Sequence, residues 1–251
     1  MHLTQGPQKP DDFVVIGYMI IEGTTDTQQP RPELRGVVYT PTSCVCPLHP
    51  HADVLSWRQP APELHEQYRQ QLEMSLDDFI EFQEATERAF EAAEWGLDAV
   101  FVRRSTAAHF FKRFFIQRAQ TRLMELSIRS LDLPAFLKAT APVVGSSAEQ
   151  YEVRAMHLAA VRQEPAATDG QLLGFEVVGV NAHQDTHTSV CYAVREGFEQ
   201  AGITFNSEGY LTCVDQAAKG ARINNDEGRN PVGDASWFAV RLAELTRSQR
   251  S

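Results

Sequence analysis

The sequence predicts an α+β fold, with a short sheet built from N-terminal and C-terminal strands and a central helical region. Two apolar segments rich in β-branched residues, Phe13–Glu22 and Leu172–Val180, predict strands near the beginning and in the last third of the chain. Between them, apolar side chains recur at helical spacing over residues 76–129. Nine of the 13 prolines lie in the first quarter of the chain, which favours strands and irregular loops there.

The strands differ in what their sequence pattern predicts. Phe13–Glu22 is apolar without alternation, so we expect it to be buried on both faces. Gly36–Thr40 predicts a shorter strand, and Leu172–Val180 predicts a strand that follows a turn-rich linker. Ala235–Leu245 fits either a final strand or a helix, and the sequence leaves both interpretations open.

The first long helix is predicted at Leu76–Trp95, where strong helix formers run without glycine or proline. Ser75 and Asp78 have the spacing of a capping box at its start. A second long helix is predicted at Thr106–Arg129, and shorter ones at Pro134–Thr140, Thr188–Gln200 and Val214–Ala221. The buried stripe expected for the second long helix consists of Ala107, Phe111, Phe114, Phe115, Ala119, Leu123 and Leu126.

The 251 residues allow either two small domains or one large one. The division that the pattern favours is residues 1–163, a strand and loop region with a helical hairpin, and residues 172–251, a C-terminal α/β region. The alternative is one compact domain over residues 10–246. No apolar run approaches the roughly 20 residues that a membrane-spanning helix needs. The N-terminus lacks the features of a signal peptide, so a cytoplasmic protein is expected. The oligomeric state is left open.

The charge balance argues against nucleic acid as a partner, because 33 acidic and 23 basic residues give a net charge of −10. The same balance suits a basic protein partner. The first long helix is the most acidic segment, and the carboxylates expected to bind such a partner are Glu81, Glu84, Glu87 and Glu91. The favoured alternative is internal pairing, in which Arg113, Arg118 and Arg122 of the second helix neutralise this field.

Two clusters contain residue types that bind zinc, and they support the alternative of a metal-dependent enzyme. In the first, two cysteines and two histidines fall within eight residues; they are Cys44, Cys46, His49 and His51. The second is His183, Asp185 and His187, which would point to one side of an extended chain. Neither spacing is that of a recognised zinc site. The favoured interpretations are buried cysteines in the first cluster and, in the second, Asp185 or Thr186 capping the helix that follows.

Other catalytic signatures are missing from the sequence. There is no nucleophile elbow, phosphate-binding loop, dinucleotide-binding fingerprint or zinc-protease motif. Four cysteines in a chain of this length do not make a disulfide scaffold. Cys191 and Cys213 could each act as a nucleophile beside His183 or His187, but Cys191 lies in an apolar segment that predicts burial. We therefore predict no catalytic residue and no cofactor, and favour a protein that is not an enzyme.

Residues 172–240 resemble a type of small, mostly uncharacterised bacterial protein, some members of which are immunity- or antitoxin-like. The resemblance lies in the strand LLGFEVVGV, the segment SVCYAVREGFEQAGI, the turn FNSEGYLT and the closing NDEGRNPVGDASWFAV. It implies a bacterial protein without enzymatic chemistry. Together with the acidic helix, it leads us to expect a soluble protein that neutralises a basic partner.

Overall fold

The computed structural model describes residues 12–25, 37–39, 65–66, 69–70, 72–92, 94, 101–117, 121–139, 166, 169–180, 186–188, 197–206, 210–226 and 235–245. Its centre is an antiparallel sheet with the strand order β2-β1-β3-β6-β4-β5. The strands are β1 Phe13–Thr25, β2 Val37–Tyr39, β3 Thr121–Arg129, β4 Gly170–Val180, β5 Thr186–Thr188 and β6 Ser236–Leu245. The helices are α1 Leu76–Glu91, α2 Arg104–Phe110 with a π-helical continuation Phe111–Phe115, α3 Leu133–Ala139 and α4 Val214–Asn225. The α+β prediction is confirmed.

The strands predicted from continuous apolar segments are present. β1 contains the predicted Phe13–Glu22, and its residues 15–20 are buried on both sides of the sheet. β2 lies within the predicted Gly36–Thr40, and β4 contains the predicted Leu172–Val180. The ambiguous segment Ala235–Leu245 forms β6, which pairs with β3 on one side and β4 on the other.

The two faces of the sheet carry different helices. One face, called here the helical face, packs against α1, α2 and α4 through buried aromatic and alanine side chains such as Phe82, Phe110 and Ala217. The opposite face packs against α3, where the rings of Phe136 and Phe238 meet edge to face at 5.3 Å. Both faces of the central strands are therefore buried, as continuous rather than alternating apolar segments require.

The predicted helix Thr106–Arg129 is wrong in its second half. α2 and its π-helical continuation end at Phe115, and Thr121–Arg129 forms β3. Leu123 packs on the helical face and Leu126 on the opposite face, so they do not belong to one helical stripe. The segment pairs with β1 on one side and β6 on the other, and this pairing outweighs the helix preference of its leucine, methionine and glutamate residues. Ala119 lies outside the described residues.

Smaller boundaries also differ from those predicted. α1 ends at Glu91 rather than Trp95, α3 begins at Leu133, and α4 continues to Asn225. Thr188, predicted to begin a helix, lies in β5, and in that part of the chain the described helical residues are 197–200. Gly202 adopts φ +73, the left-handed conformation expected of the predicted helix stop. In the described part of the chain, no helix is long and apolar enough to cross a membrane.

Candidate functional site

The acidic helix α1 begins at the predicted cap. The Ser75 hydroxyl accepts a hydrogen bond from the Asp78 backbone N–H at 3.1 Å and donates one to the Asp78 carboxylate at 2.6 Å. Phe79, Phe82 and Ala89 turn into the core, so the carboxylates between them lie along the outer side of the helix or at its edges. The cap fixes where the helix begins, and the aromatic residues fix which side faces outward.

Glu81 lies on the edge of α1 that faces α2. The Arg113 guanidinium donates from Nε to Glu81 at 2.8 Å, from Nη2 to the second Glu81 oxygen, and from Nη2 to Asp78 at 3.0 Å. The hydrogen bond from Arg113 lowers the pKa of Glu81. The Ser75 hydroxyl, followed by Arg113, lowers the pKa of Asp78. This carboxylate pair therefore serves to join two helices.

Two of the other predicted partner-binding carboxylates, Glu84 and Glu91, make no such contact with α2 in the part of the chain that the structure describes. Glu84 and Glu91 are exposed, and Glu87 is half-buried. Glu84 lies 3.5 Å from Arg88, one turn along the same helix, and an exposed pair of this kind contributes little to stability. The internal pairing expected with Arg122 is wrong, because Arg122 lies on β3 and pairs with Glu244 on β6 at 3.6 Å. Arg118 lies outside the described residues.

Two large apolar side chains on α1 are exposed one turn apart. Leu76 is 62% exposed and Ile80 is 46% exposed, and Glu84 continues their row at the next turn. Asp77 lies beside Leu76 and has no ion-pair partner among the residues that the structure describes. We call Leu76, Asp77, Ile80 and Glu84 the outer strip of α1. Its apolar members were not predicted from the sequence. The available signal was that Leu76 and Ile80 do not share the helical spacing of Phe79, Phe82 and Ala89.

The two candidate zinc clusters fall almost entirely outside the described residues. Cys44, Cys46, His49, His51, His183 and Asp185 are not described, and the backbone of His187 lies in β5 opposite Gly179. Thr186 lies in β5 opposite Val180 of β4, and the strand continues to Thr188, so the predicted helix does not begin directly after Thr186. The described part of the chain contains no group of three potential metal-binding side chains. Cys213, half-buried at the start of α4, makes no capping hydrogen bond through its side chain.

A buried charged pair, Glu125 and Arg241, lies on the helical face of the sheet and was not identified from the sequence. Glu125 on β3 is completely buried, and Arg241 on β6 is 8% exposed. The Arg241 guanidinium donates a hydrogen bond from Nη1 to Glu125 at 3.4 Å and lies 5.8 Å from the centre of the Phe13 ring. The available signal was a single charged residue at the centre of each of two apolar segments, Arg241 in FAVRLA and Glu125 in LMELSI.

Residues 172–240, which carry the resemblance to immunity- or antitoxin-like proteins, contain β5 and α4 and overlap β4 and β6 where the structure describes them. The described residues of these elements bring together no group of three potential metal-binding side chains. The immunity- or antitoxin-like role that the resemblance implies stays a prediction. In comparisons with known proteins, the chain matches no protein-family model, no curated protein and no solved structure.

Proposed function

We propose that this protein acts by binding a basic protein, and that the outer strip of α1 contacts it. The observation that carries the proposal is the exposed pair Leu76 and Ile80, set in a row with the carboxylates of Asp77 and Glu84. Apolar side chains supply binding energy when a partner buries them, whereas surrounding carboxylates select partners of opposite charge. The combination favours a partner segment with exposed apolar side chains flanked by lysine or arginine.

The packing of α1 supports this role. Phe79 and Phe82 anchor the helix in the core, and Arg113 ties its edge to α2. A surface held in place by both contacts loses little conformational freedom when a partner binds, so less of the binding energy is spent on ordering it. Because Arg113 already neutralises Asp78 and Glu81, the outer strip and Glu91 are the carboxylate-bearing positions left to interact with a partner.

The net charge of −10 adds a long-range component. An acidic protein attracts a basic one before contact, and this raises the association rate in a manner that salt suppresses. A protein that neutralises a basic toxin needs fast and tight association. Residues 172–240 resemble immunity- and antitoxin-like proteins. In agreement with that resemblance, we propose that the partner is a basic bacterial toxin.

The proposal can be tested with designed peptides of stated chemistry. Fluorescence anisotropy would measure binding of a lysine-rich amphipathic peptide with leucine anchors, and of the same peptide with serine in place of leucine. We expect the wild-type protein to bind the leucine peptide more tightly, and added salt to weaken that binding. The variant Leu76→Ser/Ile80→Ser should bind it at least about tenfold more weakly, which corresponds to roughly 1.4 kcal/mol.

The matched control is Leu131→Ser, which changes a leucine that is 71% exposed near the start of α3. It should leave both binding and thermal stability unchanged. A second variant, Glu84→Lys/Glu91→Lys, should reduce the salt-dependent part of the binding. If Leu76→Ser/Ile80→Ser binds the peptide as tightly as the wild-type protein, or if neither peptide binds, α1 is not the binding surface.

A further inference from the structure

A serine and an arginine lie side by side on the helical face of the sheet, away from the outer strip of α1. Ser127 on β3 is directly opposite Arg241 on β6, and Arg241 is in turn opposite Phe175 on β4. Side chains that are directly opposite across an antiparallel sheet point to the same face. Ser127 is completely buried and Arg241 is 8% exposed, so both polar groups are removed from bulk water.

Among the described residues, most of the hydrogen-bonding capacity of both side chains is unused. A guanidinium carries five N–H donors. Within the described part of the chain, Arg241 uses one of them, in the 3.4 Å bond to Glu125. The Ser127 hydroxyl is enclosed and has no hydrogen-bond partner among the described residues. A buried hydroxyl without a partner destabilises the fold, and a guanidinium that is mostly buried normally forms several hydrogen bonds. Both groups could gain their missing partners from a ligand.

The surroundings of the pair restrict what that ligand could be. The Phe13 ring lies under the guanidinium, and the Phe175 ring lies 6.3 Å from that of Phe13, which gives the site an aromatic border. On β6, the residues two positions before and after Arg241 on the same face are Ala239 and Ala243, whose small side chains take little space beside it. The groups without partners are mainly donors, so they suit a small ligand that carries acceptor oxygens.

Nearby charges favour a singly charged ligand. Glu125 is completely buried next to Arg241, and a ligand with two negative charges would be repelled by it. A carboxylate has one charge and two coplanar oxygens that match the fork of a guanidinium.

We propose that Arg241 and Ser127 form a binding site for the carboxylate of a small organic acid. The guanidinium donates two parallel hydrogen bonds to the carboxylate oxygens, and the Ser127 hydroxyl donates a third. Phe13 and Phe175 contact the organic part of the ligand, so an aromatic acid binds more tightly than an aliphatic one. The site is independent of the outer strip of α1 and of the protein partner proposed for it.

Isothermal titration calorimetry of the full chain with benzoate, acetate and inorganic phosphate tests the proposal. We expect benzoate to bind, acetate to bind more weakly, and phosphate to bind more weakly than benzoate. Benzoate should also raise the melting temperature, because a ligand that binds the folded state stabilises it. Absence of benzoate binding at millimolar concentration, or tighter binding of phosphate than of benzoate, would overturn the assignment.

Ser127→Ala separates a ligand site from a purely structural network. Removing a buried hydroxyl that lacks a partner should leave the melting temperature of the free protein unchanged or raise it. The same change should weaken benzoate binding by about 3- to 10-fold, the loss expected for one hydrogen bond. Arg241→Lys, which keeps the charge and removes the fork, should weaken it by at least about tenfold. The control is Ser130→Ala, which removes an exposed hydroxyl that donates to the Asp12 backbone carbonyl just after β3, and it should leave benzoate binding unchanged. Benzoate affinity that Ser127→Ala and Arg241→Lys both leave unchanged would also overturn the assignment.

Discussion

Arg113 and Glu81 join α2 to α1 across 32 positions of sequence, with Nε of the arginine 2.8 Å from one carboxylate oxygen and Nη2 bonded to the other. The same guanidinium also reaches Asp78 in the first turn of α1. A single cation therefore fixes the orientation of the acidic helix and removes two carboxylates from its outer surface. Asp77, Glu84 and Glu91 are exposed and lie outside this contact, so the contact separates the structural acids from these candidate binding ones.

Arg113→Met should make the thermal stability of the protein less dependent on pH under acidic conditions. The pKa values of Asp78 and Glu81 are lowered in the folded protein, chiefly by hydrogen bonds from Ser75 and Arg113 respectively. Their stabilising contribution is complete above their unfolded-state pKa values and is lost as pH falls through the lowered ones. The melting temperature of Arg113→Met should lie below that of the wild-type protein at neutral pH, and the two should converge in acid.

The control for this pH experiment is Arg88→Met. Arg88 lies 3.5 Å from Glu84 on its own helix, and both side chains are mostly exposed. Its loss should scarcely change the melting temperature at any pH, since exposed pairs contribute little. If Arg88→Met and Arg113→Met show the same profile against pH, the contact between the two helices has no special role.

Phe115→Ala should destabilise the protein by about 3–5 kcal/mol, the usual cost of deleting a buried aromatic ring. Phe115 is completely buried, and its ring lies 6.1 Å from that of Phe82 on α1. The neighbouring Phe114 is only half-buried, so Phe114→Ala should cost less. Urea denaturation of the two variants measures the difference. Equal stability of both variants would show that the π-helical turn does not direct Phe115 into the core.

The sequence was informative wherever a local pattern determines the outcome. The cap of α1 needs only Ser75 and Asp78, three residues apart, and β1 and β4 follow from their uninterrupted β-branched residues. β3 could not be assigned in this way. Its residues favour a helix intrinsically, and because both of its faces are buried they do not alternate. Only the pairing with β1 and β6, which involves distant parts of the chain, makes it a strand.

The candidate sites could also be predicted only where a local sequence pattern determines them. The acidity of α1 was evident from composition, but the separate roles of Glu81 and Glu84 depend on where α2 lies against it. Glu125 and Arg241 are 116 residues apart, and neither segment alone indicates that their side chains meet on one face. A lone charged residue in an apolar segment predicts a buried pair only once the strand order is known.

Gly220→Ala should destabilise the protein even though alanine favours helices. The change would improve the intrinsic helix preference of α4 by about 1 kcal/mol. A Cβ at this position, however, would lie 2.8 Å from a Phe198 ring atom, and Phe198 is completely buried and cannot move aside easily. Such overpacking costs about 1–3 kcal/mol, so the net effect should be destabilising.

Gly197→Ala is the matched control for Gly220→Ala, because it makes the same substitution in the described helical turn 197–200. A Cβ there would meet no atom within 4 Å. The variant should therefore be more stable than the wild-type protein, by up to about 1 kcal/mol, through helix preference alone. Thermal denaturation of both variants decides between the two effects, and stabilisation by Gly220→Ala would contradict the close packing of α4 on Phe198.

Arg241→Met and Glu125→Leu should each be strongly destabilising, but their combination should not be. Each single change breaks the buried pair by removing one of its two charges, which costs about 3–5 kcal/mol. The double variant replaces both charges with apolar side chains of similar size, and such replacements are often neutral or stabilising. We expect its free energy of unfolding in urea to lie close to that of the wild-type protein. A double variant whose loss of unfolding free energy equals the sum of the losses in the single variants would show that the two side chains act independently.

The double variant should also fail to bind benzoate while remaining folded, because the guanidinium that would hold the carboxylate is gone.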